Sequence, residues 1–432
     1  MLYKYIKTSY WGVDNNKALI LMLYLLGFLF LSVFYEHYIV PKWSYYGFPW
    51  NPSVQRITLA SLGLAVLVIL VPARPKLPSD FFLHIHLLFP VLPMLVVYGL
   101  GNTNGVYTAF VVISFLVLIY ARLVPVALPK IRGYSPAKIM RGCLLFTWFC
   151  IIAIFAFGGY KYINFDLFEV YDYRRQAASN LPSFFGYITP IVGKVLIPLA
   201  LGVALMQRRL LASTAAIAGA IMIFALTSRK GPLFYPLVVF AIFYMAGKRK
   251  MIIYLLLGNI FIILMSFGEL MWDSDLLANL IIRRNYFIPA IANYGYYDFF
   301  SSHPFVMLSN SKITFGLLEY PYELPAALML GKVYWNNPEM SANTGWMGTS
   351  YMHFGFAGML VFAVVIGILL RLIDQLSKKT PPSQVLALSI VPFLALFTSA
   401  DLPTALLTHG LLVCMILIWL YNPSRVKKGV TK

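Results

Sequence analysis

The sequence predicts an all-helical, polytopic integral membrane protein with about twelve transmembrane helices, and three observations carry that prediction. Of the 432 residues, 60% are hydrophobic and only 11% charged, against roughly 25% charged in an ordinary soluble domain, and the mean hydropathy is +0.77. Continuous apolar runs such as ALILMLYLLGFLFLSVF, MIIYLLLGNIFIILMSF and GFAGMLVFAVVIGILL recur along the whole chain. A bilayer core takes about 20 such residues per helix, whereas the strands of a membrane barrel alternate polar and apolar. The basic residues, finally, sort between the two sides of these runs as the positive-inside rule requires.

The first run, 18–40, follows a basic stretch in the manner of a signal peptide. No small-residue cleavage site follows it and many more spans do, so a retained anchor is expected. Spans at 57–72, 81–100 and 105–121 come next, the second preceded by Arg74 and Lys76 and the third followed by Arg122. A basic loop with Lys130, Arg132, Lys138 and Arg141 leads into 142–160, and an outer loop, 161–185, separates it from 186–206. The turn QRR joins that span to 210–227, the turn TSRKG joins 210–227 to 232–247, and KRK joins 232–247 to 251–267. A large outer loop, 268–346, precedes the last three spans, 347–370, 385–400 and 404–421. The chain thus reads as one polytopic domain, 1–432, carrying two long outer loops.

With the N-terminus placed in the cytoplasm, 22 of the 34 basic residues fall on the inner side with three acids, Asp14, Asp80 and Asp374. Both termini are therefore expected inside. The net charge of +19 is loop charge of this kind, and no span-free basic domain exists to hold nucleic acid. Cys143, Cys150 and Cys414 lie within apolar runs without metal or redox spacing, which reads as packing.

The exceptions to the charge rule cluster. Arg174 and Arg175, Arg229 and Lys230, and Arg283 and Arg284 form three basic pairs on the outer side. A single such pair snorkels to lipid phosphates or meets local acids; three together argue for an anion site. Two of the pairs share a pattern. Arg175 is followed by ten residues and then Gly186, and Arg284 by ten residues and then Gly295. Both segments open on Arg-Arg-amide and close on aromatic-Gly.

An arginine, ten residues and a glycine, once in each of two outer loops of a protein with this many spans, resembles the O-antigen polymerase family of the Wzy-dependent pathway. The segment NTGWMGTSYMHFGFAGMLVFAVVIGILL, 343–370, resembles the end of the large periplasmic loop and the following span in that family. The resemblance implies a GT-C-like membrane glycosyltransferase of the bacterial inner membrane, working at the periplasmic face without a nucleotide sugar, cofactor or metal. Its substrates would be undecaprenyl-diphosphate-linked oligosaccharides, the growing glycan passing from its lipid to an incoming repeat unit. A chain-length regulator is the implied partner.

That chemistry puts negative charge on a departing diphosphate. The chain has no Asp-X-Asp and no His or Cys cluster at ligand spacing, whereas arginine is always charged and grips phosphate oxygens with a planar fork. Arg175 and Arg284 are expected to contact diphosphate, with Arg174 and Arg283 either pairing with Asp172 or orienting the loops. Arg229 or Lys230 is the third expected contact, and Lys194, a charge inside the sixth span, is a candidate by its position. Gly186 and Gly295 would permit close backbone approach or a tight turn.

The acceptor hydroxyl needs a proton acceptor. Glu169, Asp172, Asp298, His303, Glu319, Glu323 and His353 are the outer-side candidates, the two histidines ranked first because they titrate near neutrality. His84 and His86 lie toward the cytoplasmic side and are set aside. Aromatic residues, Tyr296, Tyr297, Tyr320, Tyr322, Tyr334 and Trp335, offer faces for sugars as well as interface anchors. Pro190, Pro198, Pro232 and Pro236 are expected to kink helices around a groove for the prenyl tail. An O-antigen ligase and a lipid-linked oligosaccharide flippase are the rival readings; sparse charge within the spans and the long outer loop count against transport.

Overall fold

In a bilayer each backbone N–H and C=O needs a partner within its own segment, so long apolar runs become helices. The computed structural model describes residues 15–129, 131–167, 170–245, 248, 250–309, 311–378 and 380–423, and among them it is helical, with no strand beyond an isolated bridge between Tyr134 and Tyr421. Lys130, Glu169, Arg249 and the basic residues at both ends of the chain lie outside the described residues.

Among the described residues eight helices are long and apolar enough to cross a membrane: α1 (Asn16–Lys42), α3 (Pro78–Gly101), α5 (Pro136–Ala156), α7 (Phe185–Met206), α8 (Leu210–Thr227), α10 (Met251–Leu270), α13 (Trp346–Leu376) and α15 (Leu402–Leu420). Four shorter apolar helices lie between them: α2 (Val54–Leu70), α4 (Gly105–Ala121), α9 (Gly231–Met245) and α14 (Pro382–Thr398). The two long segments expected as loops also carry helices. The first carries α6 (Val170–Asn180); the second carries a π-helical stretch, Ala278–Phe287, running directly into α11 (Ile288–Phe300), and then α12 (Ala326–Trp335).

Helix α5 begins several residues before its apolar run because Pro136 takes an early position where its missing N–H costs nothing. The prolines act unevenly. Pro190 precedes a π-helical turn, Val192–Leu196, inside α7, and Pro236 lies within α9, but Pro232 stands in the first turn of α9 and starts the helix rather than kinking it.

Helix α13 is two helices joined at a bend. Phe354 (φ −144°, ψ 24°) and Gly355 (φ 60°) leave helical geometry. Only glycine adopts that positive φ without penalty, and a Cβ there would also press on the Phe305 ring at 3.1 Å. The straight part beyond the bend, about 20 residues, is roughly 30 Å long, one bilayer core.

The helices pack as two compact units. One comprises Met1–Val126, Arg249–Arg371 and Leu396–Leu402; the other comprises Ala127–Lys248, Leu372–Ala395 and Pro403–Lys432. The first is pinned by a buried ion pair. Arg122 donates to Asp80 Oδ1 at 2.7 Å and to Ser79 Oγ at 2.6 Å, while Asp80 Oδ2 accepts the backbone N–H groups of Lys76 and Leu77. Arg122 and Asp80 are 1% and 0% exposed. His84, in the same unit, is fixed between the Tyr24 hydroxyl and the Pro72 carbonyl, and His86 is buried among Phe115, Trp346 and Phe397. The three cysteines are buried and unbridged.

Candidate functional site

The second unit gathers basic residues from four separate places in the chain, three of them carrying Arg174, Lys194 and Arg229 and the fourth a histidine, His409. Helix α6 carries Arg174, whose Nη2 donates to the Ser228 carbonyl at 3.3 Å. Ser228 ends α8 in left-handed geometry (φ 49°), its N–H returning to the Phe224 carbonyl, and so aims the turn holding Arg229 and Lys230. Lys194 sits in the π-helical turn of α7, a widened backbone that is frequent at functional sites. His409 lies where α15 breaks between Leu402–Leu406 and Leu411–Leu420, its N–H bonded to the Thr404 carbonyl. The break is locked by Gly410 (φ 77°), whose vacant Cβ position faces Val195 and Ile191 of α7.

These groups act on one another. Arg229 is within electrostatic reach of Arg174, of Lys194 and of His409, and Lys194 is within reach of His409. Arg229 is exposed by surface area, yet burial among protein atoms, ahead of the charge of Arg174, lowers its guanidinium below the ordinary arginine value. Bringing like charges together is costly, and a bound anion lowers that cost. The unit also holds an apolar groove of about 650 Å³ between helices α5, α7 and α15, lined by Ile139, Phe146, Ile188, Ile191, Val413 and Leu417. None of the four prolines expected around such a groove lines it.

Of the sequence candidates, then, Arg174, Arg229 and Lys194 come together, with Lys230 half-buried in the same turn. Arg175 is exposed, since neighbours on a helix point about 100° apart. Asp172 is on α6 in the turn before Arg175. His409 was missed because a lone histidine inside an apolar run signals nothing until the break in α15 is seen.

The other arginine pair is built differently. Arg283 is held in place: its Nε and Nη2 donate to Asn279 Oδ1 at 2.9 and 2.6 Å, and its guanidinium lies over Trp43 and Tyr46 at 4.8 and 5.2 Å. Arg284 is exposed. From Arg284 to Gly295 the chain is uninterrupted helix, whereas from Arg175 to Gly186 it is helix, turn, helix. Equal spacing therefore yields unequal geometry. Neither glycine makes a tight turn: Gly186 opens α7 and Gly295 is inside α11.

The first unit also holds a histidine–carboxylate pair. His353, in the last turn before the bend of α13, is buried; its Nε2 lies 3.0 Å from Asp401 Oδ2, and its Nδ1 accepts the Leu308 N–H at 3.1 Å. Because Nδ1 receives a hydrogen, the proton of a neutral ring is on Nε2 and points at Asp401. Asp401 Oδ1 is buried and has no hydrogen-bond partner, and Tyr296 is within electrostatic reach. Asp401 was passed over in the sequence, a single acid between two spans. His303 is exposed, bonded to the Phe299 carbonyl at 2.8 Å and stacked on the Phe299 ring at 3.9 Å. Glu319 and Glu323 are exposed. Asp298 accepts from the Tyr334 hydroxyl at 2.6 Å, a phenol that burial, and then Asp298, holds above its ordinary value. Tyr297 packs against Tyr107 and Tyr351. Among the described residues no three His, Cys, Asp or Glu side chains gather as a metal site.

No family model, curated protein or solved structure matches the chain.

Proposed function

We propose that the protein is a GT-C-like membrane glycosyltransferase that polymerises lipid-linked O-antigen repeat units at the periplasmic face of a bacterial inner membrane. In this reading the four shorter apolar helices also span, giving twelve spans with both termini cytoplasmic. The observation that carries the proposal is the gathering of Arg174, Lys194, Arg229 and His409 from four separate places into one cluster within electrostatic reach.

In the reaction the oxygen of the acceptor hydroxyl bonds to the anomeric carbon of the growing chain. The bond from that carbon to the diphosphate oxygen breaks, and its electron pair leaves with undecaprenyl diphosphate. The charge appearing on the leaving oxygen is what clustered guanidinium and ammonium groups stabilise. Removing one such preorganised donor costs roughly 10²- to 10³-fold in rate. The apolar groove of the same unit supports the reading, since the anion here is joined to a long prenyl chain. The hydroxyl proton passes to a base as the new bond forms.

The test is product analysis with the purified protein in nanodiscs and undecaprenyl-diphosphate-linked repeat units, comparing wild type with Arg229→Gln. A glycan ladder from wild type, absent from a folded Arg229→Gln variant, is the expected result. Transfer of a preformed chain to a different lipid would replace the reading with a ligase, and movement of substrate across a vesicle without bond formation would replace it with a transporter.

A further inference from the structure

The first unit contains an open cavity of about 600 Å³, within the range of small-ligand sites, roughly 300–1,000 Å³. Its walls come from stretches far apart in the chain: the turn ending at Tyr46, the turn between α3 and α4 with Asn104, the face of α11 with Tyr297 and Asp298, and the end of α12 with Tyr334 and Trp335.

The chemistry of this lining is specific. Aromatic rings present flat apolar faces that suit the C–H face of a pyranose, and they are firmly set. The Trp335 indole N–H donates to the Tyr46 carbonyl at 2.9 Å, so its ring is not free to swing. The Tyr334 hydroxyl donates to Asp298 Oδ2 at 2.6 Å, which fixes the carboxylate while Asp298 stays exposed to accept from hydroxyls. Asn104 spends its side-chain oxygen on the Tyr107 N–H, and the NH₂ of its amide remains as a donor. Among the lining residues none is basic. An anionic group is disfavoured beside Asp298, and a purely apolar ligand would strand the amide and the carboxylate. A neutral polyhydroxylated ring meets all of these demands.

We infer that this cavity is a saccharide-binding site, one that seats a neutral sugar of the glycan between the aromatic faces of Tyr297 and Trp335 with its hydroxyls on Asp298 and Asn104. The inference deepens the polymerase reading and rests on it for the glycan as natural ligand, but the cavity and the cation cluster are separate sets of residues and can fail separately.

The experiment uses the full-length protein in nanodiscs. Free glucose, galactose, rhamnose, N-acetylglucosamine and their disaccharides are presented one at a time, and contact is read by saturation-transfer NMR and by quenching of tryptophan fluorescence. Wild type is expected to bind at least one of them. Tyr297→Ala and Asp298→Asn are expected to weaken that binding tenfold or more, the second variant keeping the Tyr334 hydrogen bond and so the shape of the wall. Arg229→Gln is expected to leave sugar binding unchanged. If no sugar of the panel binds, or if binding survives both cavity variants, the saccharide site is overturned. Sugar binding with these sensitivities but no ladder from lipid-linked repeat units would leave the cavity assignment standing and remove the polymerase.

Discussion

His353 Nε2 lies 3.0 Å from Asp401 Oδ2, and the Leu308 N–H on the far side of the imidazole sets which nitrogen carries the proton. The histidine ranked highly in the sequence is thus a donor to its partner, and the pair ties α13 to the segment carrying Asp401. His353→Phe keeps bulk but takes this partner from the Leu308 N–H and from Asp401, and a buried group stranded in that way costs about 1–3 kcal/mol. Equilibrium unfolding in detergent checks it; a variant as stable as wild type would show that the pair does not hold these segments together.

The cation cluster makes an opposite demand on stability and on binding. Arg229→Gln and Lys194→Met each remove a repelling charge, so the unliganded protein is expected to melt no lower than wild type. Inorganic pyrophosphate should raise the melting temperature of wild type and do so much less in either variant. Equal protection in all three proteins would show that the ion binds elsewhere.

Arg122 and Asp80 test the scaffold. Arg122→Met keeps volume but takes the guanidinium from a fully buried carboxylate that also accepts the Lys76 and Leu77 amides. Breaking one side of such a pair costs about 3–5 kcal/mol. Equilibrium unfolding in detergent should report a loss of that size, and the double change Arg122→Met with Asp80→Leu should recover part of it.

The glycines divide sharply. A Cβ on Gly186 meets nothing within 4 Å, whereas one on Gly345 runs into the Phe397 backbone carbonyl. Gly186→Ala, in the first turn of α7, is expected to leave the stability unchanged or to raise it by up to about 1 kcal/mol. Gly345→Ala is expected to destabilise, because backbone has no rotamer by which to yield. Ladder formation by Gly186→Ala then asks whether that glycine serves ligand approach: a loss of activity without a loss of stability would say that it does.

The helical, membrane-embedded character of the chain was legible in the sequence because lipid leaves the backbone no other way to pair its N–H and C=O groups, and a continuous apolar run declares itself residue by residue. The basic pairs were legible as neighbouring charges in a chain that carries few. Their roles were not. Arg174 and Arg175 are equivalent in sequence, and only the direction of α6 turns Arg174 toward the Ser228 carbonyl. The ten-residue spacing repeats in the sequence but not in the fold, because a turn interrupts one copy.

What the sequence by itself determined is therefore what depends on neighbours along the chain: which apolar segments are helices and where basic residues stand in pairs. The tertiary structure decided what depends on neighbours across space. It joined Lys194 and His409, more than two hundred positions apart, through a π-helical turn and a broken helix, set Asp401 against His353, and walled a cavity with Tyr46, Asn104, Asp298 and Trp335. Contacts of that kind arise from packing, and no single stretch of residues encodes them.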